Sequence, residues 1–253
     1  MKNFVAILAL SLFAFSCGNK DTQTTQRPEK NNHIFVFFDK TQSVDTDNAF
    51  IRNKYLTALK ELIDNYIQKE GDRLDVYYIH ENTSKAKVLS VTSRTTKENT
   101  DGLNATDLEA ASTTYQMSIG RERKMILDAA LLKMLEKNTG ASNAETNITA
   151  SVPLLSTALD GGKNVVAFYF SDMVESMKAG RDFHKMAPIS HDQAEEWAKA
   201  DAGKQTTVNL AGSVVKIILP FEPTSSTKEN NPNVSDYWKV YFEALGVNNI
   251  EEI

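Results

Sequence analysis

The sequence predicts an α/β fold, a three-layer α/β/α sandwich whose central sheet is mostly parallel with one antiparallel edge strand. Three observations predict it. Strand-like and helix-like segments alternate along most of the chain, the pattern of a sheet covered by helices on both faces. Two apolar runs, Ile34-Phe35-Val36-Phe37-Phe38 and Val165 to Phe170, are uninterrupted, as in strands buried on both faces. Leu74 to His80 and Ala86 to Val91 are joined by a polar loop too short for a helical crossover, so the two pair antiparallel.

Each element has its own signal. After the first strand, Asp47 or Asp45 caps a helix to about Lys69, with Ile51, Tyr55, Leu59, Ile63 and Tyr66 on its buried stripe. Gly71 stops it before the two paired strands. Thr92 to Ser118, rich in Ser, Thr, Asn and Asp, is expected to be a long surface excursion. A helix from Arg121 to Lys137 is apolar around most of its circumference (Met125, Ile126, Ala129, Leu132, Met134, Leu135), which predicts a core face. Ser151 caps a short helix with Pro153 in its first turn, ended by Gly161-Gly162. Val165 to Phe170 follows as the second buried strand. Ser190 and Gln193 form a capping box for a helix through Ala202. Ser213 to Leu219 is a strand stopped at Pro220, and Glu222 to Val234 is a polar loop. Ser235 caps a last helix to Leu245, and Asn248 to Ile253 adds a short edge strand. The chain shows no internal repeat.

The N-terminus speaks to location. Lys2 precedes an apolar stretch, Phe4 to Phe15, that is too short to span a bilayer and has the form of a secretory signal. Small Ser16 then precedes Cys17, the one cysteine of the chain. Ala14-Phe15-Ser16-Cys17 resembles a bacterial lipobox, with Ala14 and Phe15 as departures. The resemblance implies removal of residues 1–16 and acylation of Cys17, a stable membrane anchor. The alternative is an unmodified cysteine in an ordinary signal peptide. Gly18 is not the Asp that marks inner-membrane retention, so the resemblance favours an outer-membrane location. Lys20-Asp21 resembles a surface-export signal of some lipoproteins. With Cys17 acylated, no disulfide framework or zinc–cysteine site remains. Polar residues 17–32 read as a flexible tether with a reach on the order of 20 Å. Residues 33–253 suit a single domain. The net charge of −5 argues against a nucleic-acid partner, which calls for a basic face.

The chemistry sits at the end of the first apolar strand, in Asp39-Lys40-Thr41-Gln42-Ser43. An acid and two hydroxyls at alternating positions present three hard oxygen ligands, the type that Mg²⁺ favours. Open α/β sheets bind ligands at this end of their strands.

These residues resemble the first loop of the von Willebrand factor A-type domain, which reads Asp-x-Ser-x-Ser, with Thr41 for the middle Ser. That family has a Rossmann-like fold and a metal-ion-dependent adhesion site. Its second loop offers a Thr in a Thr-Asn context before a helix, matched by Thr146-Asn147-Ile148. Its third loop, a strand ending in Thr-Asp-Gly, is matched by Ser171-Asp172-Met173 after Val165 to Phe170. The resemblance covers about residues 33–220. It implies an Mg²⁺ or Mn²⁺ site in which Asp39 is the main anionic anchor and Thr41, Ser43 and Thr146 give neutral oxygens. Asp172 would act through water, and a partner's carboxylate would take the open position. Two departures carry consequences. Met173 replaces a Gly, so the backbone there is open to change. Thr149 competes with Thr146, because the helix can begin as late as Ser151.

Plainer readings stand beside this one. Asp39, Thr41 and Ser43 could cap the helix near Asp47 without metal, and Asp172 could be an ordinary strand-end acid. His33, His80, His184 and His191 are scattered and read as non-ligands. Glu195-Glu196 with Lys199 reads as a solvated helix face, and Trp197, Tyr237 and Trp238 as packing anchors. Phe38-Asp39-Lys40-Thr41 also resembles the nucleophile loop of haloacid-dehalogenase-like phosphotransferases, in which the Asp attacks phosphorus. Gln42 and Ser43 depart from that pattern, the second acid is missing, and Glu175 only approximates the paired acids that close its metal site. A metal-free structural lipoprotein is the third reading. The expectation is a membrane-anchored binding module, not an enzyme, for a protein partner or cell-envelope component. Thr92–Ser118 and Glu175–Ser190 are its expected specificity elements.

Overall fold

The computed structural model describes residues 29–41, 44–137, 145–221 and 230–253. Six strands form one sheet in the order β3-β2-β1-β4-β5-β6. They are β1 (Asn32–Asp39), β2 (Arg73–Ile79), β3 (Lys87–Thr92), β4 (Asn164–Phe170), β5 (Val214–Ile218) and β6 (Asn249–Glu252). β3 is antiparallel to β2, and the remaining pairs are parallel. The five helices are α1 (Ala49–Tyr66), α2 (Ala105–Leu135), α3 (Val152–Asp160), α4 (His191–Ala202) and α5 (Pro232–Ala244). This is the predicted three-layer sandwich.

Alternation along β1 divides the core in two. Ile34, Val36 and Phe38 face α1 and α2, while Phe35 and Phe37 face α3, α4 and α5. From β1 the chain builds outward through β2 to β3, then returns to β4 on the other flank of β1 and builds outward again. The reversal lies between β1 and β4, the place where parallel α/β sheets leave a crevice.

At the opposite end of the sheet, buried Asp72 accepts from the amides of Asn32, Gln68 and Lys69. Gly71 (φ +84°) makes the turn before it, and a Cβ there would lie 2.8 Å from the Asn31 side chain. Asp75 on β2 is a second buried carboxylate. It is held by His33 (3.0 Å), Arg73 (2.9 Å), Lys87 (2.9 Å) and the Ser90 hydroxyl (2.6 Å). Burial alone would raise its proton affinity, but these donors hold the carboxyl well below its usual range.

Five expectations are corrected. Asn48, not Asp45 or Asp47, caps α1 by accepting from the amides of Phe50 and Ile51, and the helix ends at Tyr66. Much of the expected excursion Thr92–Ser118 is helix: Asn104 caps α2, which runs unbroken from Ala105 to Leu135. Tyr115 anchors this stretch through its hydroxyl to the Gln68 carbonyl, and Ile119 is buried. The apolar circumference of the second half is not all core. α2 lies on the body by one face (Ile119, Ile126, Ala130, Met134), which leaves Met125 and Leu132 about two-thirds exposed, at 66% and 69%. Ser151 does not cap α3, since its hydroxyl donates to the Ile148 carbonyl and meets the Tyr169 hydroxyl. α5 begins at Pro232 behind an Asn231 cap rather than at Ser235. Ser190 caps α4 as expected. Among the described residues no helix is long and apolar enough to cross a membrane.

Asp75→Asn should destabilise the fold by about 3 kcal/mol at pH 7, because Arg73 and Lys87 lose their buried counter-charge. The stabilisation from Asp75 is complete above the ordinary carboxylate range and is lost as pH falls toward its depressed native value. Denaturant titrations at pH 7 and pH 3 check this: the gap between wild type and variant narrows at the lower pH.

Candidate metal centre

The pairing of Phe38 with Phe170 sets the ends of β1 and β4 side by side, so Asp39 and the Ser171-Asp172 turn meet at the sheet's reversal point. Asp39 is buried. Its Oδ1 accepts from the Thr41 amide (2.9 Å) and the Thr41 hydroxyl (2.5 Å), and its Oδ2 accepts from the Ser171 hydroxyl (2.6 Å). All three partners are neutral. Asp172 is also buried, with Oδ1 accepting from the Val174 amide at 3.0 Å. Burial, and then the nearby Asp172 charge, raise the proton affinity of Asp39 above the usual carboxylate value; the hydrogen bonds from Ser171 and Thr41 oppose this without cancelling it.

Lys40, between Asp39 and Thr41, turns away from the acids. Its ammonium donates to the last carbonyls of α2, Met134 (2.5 Å) and Glu136 (2.7 Å), and lies 5.1 Å from the Tyr78 ring centroid. Burial lowers its pKa to about 8.

The third loop keeps a left-handed backbone without a glycine. Met173, at φ 61°, is the one non-glycine residue with positive φ among the described residues, a conformation that costs roughly 1–2 kcal/mol. Its surroundings hold it there. The Met173 amide donates to the Ser171 hydroxyl (2.9 Å), its carbonyl accepts from the Trp238 indole (2.7 Å), and its side chain is buried. Met173 thus holds the left-handed conformation that favours glycine.

In the second loop, Thr146 is buried and exchanges backbone hydrogen bonds with Ser176 (3.0 and 2.9 Å), four residues beyond Asp172. Among the described residues no hydrogen bond joins its hydroxyl to Asp39 or Asp172. The Thr149 hydroxyl is engaged elsewhere, with Glu175 (2.8 Å) and Asn147 (3.1 Å). Glu175 also accepts from the Ile148 amide (2.6 Å), so it caps the turn that opens α3, and burial pushes its pKa up to about 7. The structure therefore brings Asp39, Thr41 and Asp172 together and ties Thr146 to the strand end that carries Asp172. Ser43 and Cys17 lie outside the described residues. The capping alternative does not describe Asp39, whose oxygens are engaged by Thr41 and Ser171 while Asn48 caps α1.

Two residues join the site that the sequence did not single out. Ser171 occupies the hydroxyl position of the third-loop motif, a signal that was available. Tyr55 was legible only as part of a buried stripe. Its ring packs edge-on against Phe170 (5.0 Å), and its hydroxyl is buried with no hydrogen-bond partner among the described residues. Asp39 and Asp172 are the two charges that act on it.

These residues fit a divalent cation. Two carboxylates and the hydroxyls of Thr41 and Ser171 make an all-oxygen donor set suited to a hard ion. Among the described residues no three His, Cys, Asp or Glu cluster as metal ligands, so such an ion would rest in part on neutral oxygens. The raised proton affinity of Asp39 and the orphaned Tyr55 hydroxyl both mark a place where a cation with its water would relieve a cost the fold otherwise carries.

No protein-family model matches the chain, and no curated protein sequence matches it. Solved structures with a similar course of the chain include proximal thread matrix protein 1 from the mussel byssus, at 14% identity over 89% of this chain and 44% of that one (TM-score 0.40). Another structure of the mussel protein, with a zinc-occupied MIDAS motif, aligns at 14% identity over 86% and 48% (TM-score 0.35). A von Willebrand factor type A structure from Catenulispora acidiphila aligns at 15% identity over 88% and 38% (TM-score 0.35). The chain spans less than half the length of each.

Two outcomes test the electrostatics. Tyr55→Phe should raise the stability of the metal-free protein by about 1 kcal/mol, since it deletes an unsatisfied buried hydroxyl, and should weaken Mg²⁺ binding. Melting curves in EDTA and calorimetric Mg²⁺ titration read the two opposite effects. Glu175 binds its proton more tightly folded than unfolded, so its contribution to stability falls as pH rises from the ordinary 4.5 toward about 7. Glu175→Gln removes that decline, and its stability relative to wild type should improve by about 2 kcal/mol between pH 5 and pH 8, measured by denaturant midpoints.

Proposed function

We propose that the chain is a lipid-anchored, envelope-facing binding module of the von Willebrand factor A type, outer-membrane in location, that engages a protein partner or envelope component through an Mg²⁺ or Mn²⁺ site. Asp39 and Asp172 would hold the ion with Thr41, Ser43 and Thr146, and Cys17 would carry the acyl anchor. The observation that carries this reading is the pair of buried carboxylates at the ends of adjacent central strands, with hydroxyl and amide donors on Asp39 and no cation among its hydrogen-bond partners.

The chain's own residues define what such a site does. Thr41 and Ser171 fix the Asp39 carboxylate from both sides, so its oxygens stay oriented with or without an ion. Met173, locked by Ser171 and Trp238, sets the direction of the third loop. When bound, the ion would supply a coordination position for an outside carboxylate, because Asp39 is its one directly bound charge, Asp172 acts through water and the remaining donors are neutral oxygens. Beyond the third loop, Met186 and Ile189 are exposed (62% and 85%), which gives the segment Glu175–Ser190 apolar contacts to offer a partner. The reading is one of binding rather than catalysis, since both Asp39 oxygens are engaged by donors.

In a melting experiment, Mg²⁺ or Mn²⁺ at about 100 times its dissociation constant should stabilise the wild-type protein by about 2.7 kcal/mol over EDTA. The shift should disappear in Asp39→Asn and shrink as pH is lowered, because protons compete for Asp39. Absence of any shift in the wild type with either ion would sink the metal reading and leave the metal-free structural lipoprotein. Hydrolysis of an aryl phosphate that is lost in Asp39→Asn would establish the phosphotransferase instead.

A further inference from the structure

α2 is 31 residues long and presents an outer row that the fold does not use. Opposite its buried stripe stand Thr114, Met117, Arg121, Lys124, Met125, Asp128, Leu132 and Leu135, all exposed. Met117 (55%), Met125 (66%) and Leu132 (69%) are among the most exposed large apolar side chains described. Successive members are three or four apart, except the adjacent Lys124 and Met125 at the centre of the row, so they form one stripe along the helix.

This row is its own complement when reversed. About the Lys124–Met125 bond, Arg121 and Asp128 are equidistant and opposite in charge. Met117 and Leu132 are equidistant and both apolar, and Thr114 and Leu135 close the outer ends. A second α2 laid antiparallel on the first, with a twofold axis at that bond, sets Arg121 against Asp128 twice and Met117 against Leu132 twice. Met125 faces Lys124 of the second copy, whose aliphatic stem can lie along it. The paired stretch runs about 30 Å. Opposed helix directions also place unlike dipole ends together. The existing Lys124–Asp128 pair (2.8 Å) is a solvent-exposed i, i+4 contact of the weak surface kind, and it yields readily to a shared arrangement.

We propose that the outer face of α2 is a self-association surface that pairs with α2 of a second copy, antiparallel, in an isologous dimer. Closed twofold dimers are built from this kind of self-complementary patch. An unrelated partner would need the apolar row but gives no reason for the mirrored placement of Arg121 and Asp128. The patch is narrow, so the dimer is one of modest affinity.

Sedimentation velocity of the purified protein across a range of concentrations reads the association directly. Wild type should pass from monomer to dimer as concentration rises. Arg121→Asp alone and Asp128→Arg alone each set like charges together twice and should weaken association by about tenfold or more. The double variant restores opposite charges with the order reversed and should recover most of the wild-type affinity. Both positions are solvent-exposed, and circular dichroism with a melting curve confirms that the variants fold. A wild type that stays monomeric throughout overturns the proposal. So does a dimer indifferent to both single changes, or a double variant no better than the singles.

Discussion

The pairing of β1 with β4 is the constraint on which the molecule depends. Phe38 sits opposite Phe170, and one residue further along the two strands end together in Asp39 and Ser171, joined side chain to side chain. Both strands are buried on both faces and lie at the centre of the sheet, with the rest of the chain built outward from them in two directions. A slip of one residue would exchange the two apolar cores, since Phe35 and Phe37 serve one and Ile34, Val36 and Phe38 the other. The packing that specifies the fold therefore also specifies, without further machinery, where two carboxylates meet.

The four buried acid environments show how differently such charge can be accommodated. Asp72 is satisfied by three backbone amides, a purely local solution that closes the end of the sheet. Asp75 gathers cations and keeps its charge over the whole ordinary pH range. Glu175 caps a helix entry with one amide and one hydroxyl and pays with a raised proton affinity. Asp39 and Asp172 are the exception, because two carboxylates are set beside one another. The first three environments explain themselves as architecture. The last is the feature on which the proposed metal site rests.

What could be read from the sequence follows the strength of the local physics. Val165–Phe170 and Ile34–Phe38 announced buried strands because an unbroken apolar run has few other uses. Asp39 was legible because an acid at the end of such a run stands where parallel sheets expose their ends. The stretch after Thr92 misled because Ser, Thr and Asn are poor helix formers. Its helix is held by distant contacts from Tyr115 and Ile119 that leave no periodic trace. The outward half of α2 misled in the opposite sense: apolar composition marks surface wanting a partner, and the core is only one such partner. Capping was read within a few residues but not to the residue, because Asp45, Asp47 and Asn48 offer nearly the same oxygen and only tertiary placement chooses among them. Tyr55 could be counted as buried, but where its hydroxyl ends is decided by Phe170 and the crevice beyond it.

Lys40 ties these parts together. It follows Asp39 in the chain, yet its ammonium is lodged on the terminal carbonyls of a helix that begins about thirty residues before that contact and whose outer face is turned to solvent. The first loop and the end of α2 are thus mechanically one piece, since the loop cannot shift without either dragging the helix end or stripping its carbonyls of their donor. The outer row of α2 ends at Leu135, beside this contact, so the crevice and the proposed pairing face share one helix end.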